Sequence, residues 1–162
     1  MYRTRRIPLA VAAALAIGCG GGSTNPDGTP NTNGNTKVLT ATINGTAFTA
    51  TTVSGAYLNG SISINGYNNQ RSLTISAIGL NGPGTYSLTR GNPNSALAQI
   101  IGDAVAGTFS TGFGGAGSIT LTTAVLGHIK GTFTFTAYTV AGGGLGQPVV
   151  TVQNGTFDIT NP

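Results

Sequence analysis

The sequence predicts an all-β fold, an antiparallel sandwich or partly open barrel of roughly ten short strands. Beyond Lys37 the apolar residues recur with period two, the spacing that puts them on one face of a pleated strand. Asn-Gly pairs stand between several of these runs, where a two-residue turn needs backbones with positive φ. No window of about 12 residues carries the apolar stripe of an amphipathic helix. Composition agrees, with 27 glycines among 162 residues, no Trp and 6% charged side chains, against roughly 25% in an average domain. Such a surface is kept soluble by hydroxyls and amides.

The strands follow in chain order. A turn at Asn44-Gly45 sets Ala41 opposite Phe48 and Leu39 opposite Ala50, so the apolar sides coincide. A turn at Asn59-Gly60 sets Tyr57 opposite Ile62 and sends Leu58 to the other face. Leu73-Thr74-Ile75-Ser76-Ala77 and Thr85-Tyr86-Ser87-Leu88 alternate as strands do, and Ser95 to Ile101 reads as a strand because Gly102 and β-branched neighbours disfavour a short helix. Ile119-Thr120-Leu121 and the alternation from Ile129 to Ala137 continue the pattern. At the end a turn at Asn154-Gly155 would place Val152 opposite Phe157 and Val150 opposite Ile159.

Ahead of this single β domain, residues 37–162, stand two segments of different character. Residues 1–18 carry Arg3, Arg5 and Arg6 followed by an apolar run from Ile7 to Ile17, the layout of a secretory signal. The run is too short for a hydrocarbon core, which needs roughly 20 residues. Residues 19–36 hold the only cysteine, Cys19, and a Gly, Ser, Asn, Thr and Pro stretch with nothing to bury, which predicts a flexible linker with a span of about 20–25 Å. Leu15-Ala16-Ile17-Gly18-Cys19 resembles the lipobox of bacterial lipoproteins, with Ala16 where Leu is usual. That resemblance implies cleavage after Gly18, lipid on Cys19 and a membrane location; Gly20 in the next position implies the outer membrane of a Gram-negative cell. The pieces Ile43-Asn44-Gly45-Thr46-Ala47-Phe48, Lys130-Gly131-Thr132-Phe133-Thr134-Phe135 and Val152 to Thr160 resemble a family of small, uncharacterised Gram-negative lipoproteins. The resemblance implies an architecture and a location, and carries no activity or site residues with it.

Charge narrows the partners. The whole chain has a formal charge of +4, but past the leader Lys37, Arg71, Arg90 and Lys130 stand against Asp27, Asp103 and Asp158, which leaves +1. No basic stripe remains to neutralise phosphates, so nucleic acid is not an expected partner. The groups available for catalysis are His128 and three aspartates, with no Glu. His128 falls in phase with Lys130, Thr132 and Thr134, opposite Phe133 and Phe135, which predicts a solvated imidazole with no evident partner. Asp158 is out of phase with Phe157 and Ile159, and Asp103 follows Gly102 in a turn, so neither is placed as half of a catalytic pair. Too few His, Cys and carboxylate groups exist for a zinc or calcium site, and no cofactor is expected. Gly112-Phe113-Gly114-Gly115-Ala116-Gly117 matches a dinucleotide fingerprint in form, but the strand Ser118 to Thr122 follows it where that motif needs a helix. Ala141 to Gln147 reads as a second glycine-rich loop.

Two functions from different classes remain. One is a non-catalytic binding or structural module of the cell envelope, its partner a glycan, a small ligand or another envelope protein. The other is a minimal hydrolase built on His128 or the Asp residues. The aromatic residues open to a ligand-binding role are Tyr57, Tyr67, Tyr86 and Tyr138.

Overall fold

In a computed structural model, residues 35–100, 106–139 and 149–160 are described. They form eleven strands and one 3₁₀ turn: β1 (Lys37–Ile43), β2 (Thr46–Thr49), β3 (Thr52–Leu58), β4 (Ser61–Asn68), β5 (Arg71–Ala77), β6 (Gly84–Ser87), β7 (Ser95–Ile100), β8 (Gly107–Ser110), β9 (Ala116–Val125), β10 (His128–Thr139) and β11 (Val149–Thr160), with the 3₁₀ turn at Thr111–Phe113. All of them lie in the second of the two units into which the chain divides, Gly34–Pro162. The all-β expectation holds, with antiparallel pairing throughout.

The strands make one sheet in the order β2-β1-β11-β10-β8-β7-β5-β4-β3, and it forks at β10. There Tyr138 and Thr139 pair with β8, while residues from His128 to Thr136 pair with β9, which in turn pairs with β6. The sheet does not close into a barrel; it folds over so that β3 and β4 cover the inner side of β1, β10 and β11. Two glycines allow that approach. A methyl group on Gly55 would lie 2.9 Å from Ile159 Cδ1 and 3.1 Å from Ile129 Cδ1, and one on Gly66 would lie 2.9 Å from Leu39 Cδ2. The arrangement is sandwich-like, and its core is a single apolar cluster that includes Leu39, Ile64, Ile75, Phe109, Phe157 and Ile159.

The turns at Asn44-Gly45 and Asn59-Gly60 form as the sequence predicts. Asn44 and Gly45 have φ of 48° and 79°, Asn59 and Gly60 have 49° and 71°, and positive φ at both positions is the type I′ signature. Ala41 faces Phe48 and Tyr57 faces Ile62. Leu58 points outward and is 62% exposed.

The Asn154-Gly155 pair behaves differently, and the expected terminal hairpin is overturned. Residues Val149–Thr160 are one unbroken strand, inserted between β1 and β10. Asn154 has φ of 50°, but Gly155 is not in the positive-φ region, so the chain bulges instead of reversing. Phe133 pairs with Gly155 and Phe135 with Val152, so Gln153 and Asn154 share the space opposite Thr134. The extra residue moves the inward face from even to odd numbers, and Val150, Val152, Phe157 and Ile159 are all buried. A bulge in β9 does the same. Gly131 pairs with Leu121 while Lys130 pairs with Thr123, so Thr122 is extra, and its hydroxyl donates to the Lys130 carbonyl at 3.2 Å. Ile119 and Leu121 on one side of it and Ala124 on the other all reach the core.

Candidate functional site

Among the described residues, the outer face of β2, β1, β11, β10, β9 and β6 carries an aligned polar surface. Strand alternation sends the β-branched apolar and aromatic residues inward and leaves threonine outward, a residue that suits strands because its branched side chain packs well on a pleat. Register then aligns them. Thr49 faces Thr40, Thr40 faces Thr156, Thr156 faces Thr132, Thr132 faces Thr120 and Thr120 faces Thr85. Six threonines therefore cross six adjacent strands in one row, about 24 Å long at roughly 4.8 Å per strand. Thr40 and Thr156 share a hydrogen bond of 2.8 Å between hydroxyls, and Thr85 and Thr120 share one of 2.9 Å. In the neighbouring row Thr42 faces Gln153, and Ser118 faces both Thr134 and Ser87.

Two shallow concavities sit on this face, of about 430 Å³ and about 350 Å³, and both are lined by Thr132 and Thr156. The larger extends toward Ser118, Thr120 and Asn154, and the β11 bulge shapes its rim. The smaller extends toward Val38, Lys130 and Asp158.

At that second end lies the cluster of ionisable groups. Asp158 Oδ1 is 2.9 Å from His128 Nε2, and Asp158 Oδ2 is 2.9 Å from Lys130 Nζ. Lys130 and Asp158 are directly opposed across β10 and β11, and His128 reaches Asp158 on the diagonal. The hydrogen bond from Lys130 does most to hold the Asp158 carboxyl below its ordinary range; partial burial opposes this, and the contact with His128 adds to it. His128 thus has a partner that the sequence did not reveal, because Thr160, not Asp158, is its directly opposed neighbour. Both side chains do occupy the polar face on which alternation placed them.

Other expected positions divide as follows. Cys19, Asp103, the leader, the linker as far as residue 34 and the glycine run of residues 141–147 lie outside the described residues. The glycine run at Gly112 leads through the 3₁₀ turn into β9, a strand, as expected. The tyrosines do not share one surface. Tyr57 and Tyr86 pack against the core, Tyr86 also donating to the Gly82 carbonyl at 2.7 Å, whereas Tyr67 projects from the outer face of β4. Among the described residues no three His, Cys, Asp or Glu side chains converge as metal ligands would. The threonine row was not visible in the sequence: each outward Thr was legible, but their alignment depends on registers between strands far apart in the chain.

These observations define an all-β, sandwich-like domain whose ordered feature is a hydroxyl-bearing sheet face. The chain belongs to the family described as a domain of unknown function, DUF6252, whose model matches residues 35–159. No curated protein and no solved structure matches it.

Proposed function

We propose that this protein is an exported, lipid-anchored module of the cell envelope that binds an uncharged, hydroxyl-rich partner, such as an envelope glycan, on its threonine face without catalysing a reaction. The observation that carries the reading is the row of threonines across six strands with its two concavities. Hydroxyls in a fixed array donate and accept hydrogen bonds and suit a ligand with the same dual character. Volumes of about 350 and 430 Å³ fall at the small end of ligand sites, enough for one or two sugar rings. The anchor is supported by the signal-like leader and the lipobox-like run ending at Cys19.

Two measurements test it. Mass spectrometry of the membrane fraction is expected to find a chain beginning at Cys19 and heavier by its acyl groups; a soluble product cut elsewhere sinks the anchor. Titration calorimetry of the full chain with envelope glycan fragments is expected to give binding that Thr132→Lys abolishes. If none of the fragments binds, the glycan reading fails. The hydrolase alternative draws on the 2.9 Å contact of His128 with Asp158, which resembles a base with its orienting carboxylate. It requires a hydrolytic activity lost in His128→Ala, whereas the binding reading expects that variant to bind as the wild type does.

A further inference from the structure

We propose that the tip of the β9–β10 hairpin is a membrane-docking edge, which rests on the bilayer that holds the lipid of Cys19; this builds on the anchor reading above. Three observations meet at one end of the sandwich.

The first is the chemistry of the turn. The two-residue turns at Asn44-Gly45 and Asn59-Gly60 have polar tips, but the turn between the paired residues Val125 and His128 is Leu126-Gly127. Gly127 alone has positive φ, 82°, as the second position of a type II turn requires. Its partner Leu126 is 82% exposed and the adjoining Val125 is 54% exposed. Leu126 and Val125 are thus two adjoining large apolar side chains exposed at the tip itself, and it is their adjacency, together with the two observations below, that points to an apolar partner.

The second is where the chain enters the domain. Thr160 donates from its backbone N–H and from its hydroxyl to the Thr36 carbonyl, at 2.7 and 3.2 Å. Thr160 faces His128, and His128 faces Val125. The point of entry and the Leu126 tip therefore lie on the same end, three strand spacings or about 15 Å apart. A linker of the expected 20–25 Å span confines that end to the neighbourhood of the bilayer, so even a weak contact is occupied.

The third is charge. Lys37 and Lys130, two of the four cations past the leader, stand at this end beside exposed Val38; Asp158 on the strand between theirs pairs with Lys130, which leaves Lys37 as the net positive charge. Exposed apolar residues beside a net positive charge fit the boundary between acyl chains and anionic headgroups.

The chain has no Trp, so a single introduced one reports on its own site. The full-length protein carrying Leu126→Trp is reconstituted in phosphatidylethanolamine and phosphatidylglycerol vesicles with brominated acyl chains. Ala47→Trp serves as the reference, since its partner Thr42 is five residues along β1 from Lys37, roughly 17 Å. Expected are blue-shifted emission and loss of intensity to bromine for Leu126→Trp, and neither for Ala47→Trp. Equal, solvent-like emission from both sites overturns the docking edge. The acyl mass on Cys19, read from the same sample, reports the anchor separately: an acylated protein with an unquenched tip loses only the docking edge, and an unacylated protein with a quenched tip loses only the anchor.

Discussion

Asp158 is the residue at which charges converge, accepting from Lys130 through one oxygen and meeting His128 through the other. Because its folded-state carboxyl is held below the ordinary carboxylate range, it contributes stability above its unfolded-state value, about 4, and that contribution is lost as the pH falls through the folded-state value. Replacing Asp158 with Asn is expected to cost about 0.2–1 kcal/mol at neutral pH, the usual range for exposed ion pairs. Urea midpoints measured over a pH series should show that difference shrinking in acid; a difference independent of pH would count against the ion pair. His128→Ala is expected to cost only a few tenths of a kcal/mol, since the ring is on the solvent side and surface changes usually stay within about 0.5 kcal/mol. Sequence alternation was enough to put both residues on the polar face. Their contact was not legible, because strand pairing over a separation of 30 residues decides it.

At the scale of the element, the β11 bulge shows where local reading stops. A two-residue turn and a one-residue bulge both reconcile inward residues at even positions with inward residues at odd ones, so Val150, Val152, Phe157 and Ile159 look the same under either. What separates them is company: β11 has β1 on one side and β10 on the other, and pairings with distant strands hold the chain straight. The hairpins at Asn44-Gly45 and Asn59-Gly60 were legible because their strands pair with each other and local alternation suffices. Asn154 adopts a left-handed φ of 50°, which alanine pays for with about 1–2 kcal/mol, so Asn154→Ala should lower the unfolding midpoint while Asn154→Gly should leave it nearly unchanged. Deleting Asn154 should be far worse, because one apolar pair must then face water. Thermal unfolding followed by circular dichroism is expected to show no cooperative transition for the deletion. Gly155→Ala tests the packing beneath the bulge: an added methyl would stand 2.5 Å from the Phe133 ring, an overpacking expected to cost about 1–3 kcal/mol.

For the whole molecule, all the described elements belong to one unit and surround one core, so residues 35–160 expressed alone are expected to fold, with a strand-dominated far-ultraviolet spectrum and a cooperative transition. A chain ending at Thr139 should do neither. It lacks β11, the strand that joins β1 to β10 and fills the inner face with Val150, Val152, Phe157 and Ile159. The pairing of β1 with β11 also sets a clock. Thr40 and Thr156 are 116 residues apart, and at roughly 5–20 residues per second of synthesis the first strand waits about 6–23 s for its partner. During that interval one edge of β1 has no partner strand, and the core around Leu39, Ala41 and Ile43 lacks Val150, Val152, Phe157 and Ile159. The fold thus leaves the edge of β1 that β11 covers without its partner strand until more than a hundred further residues have been made.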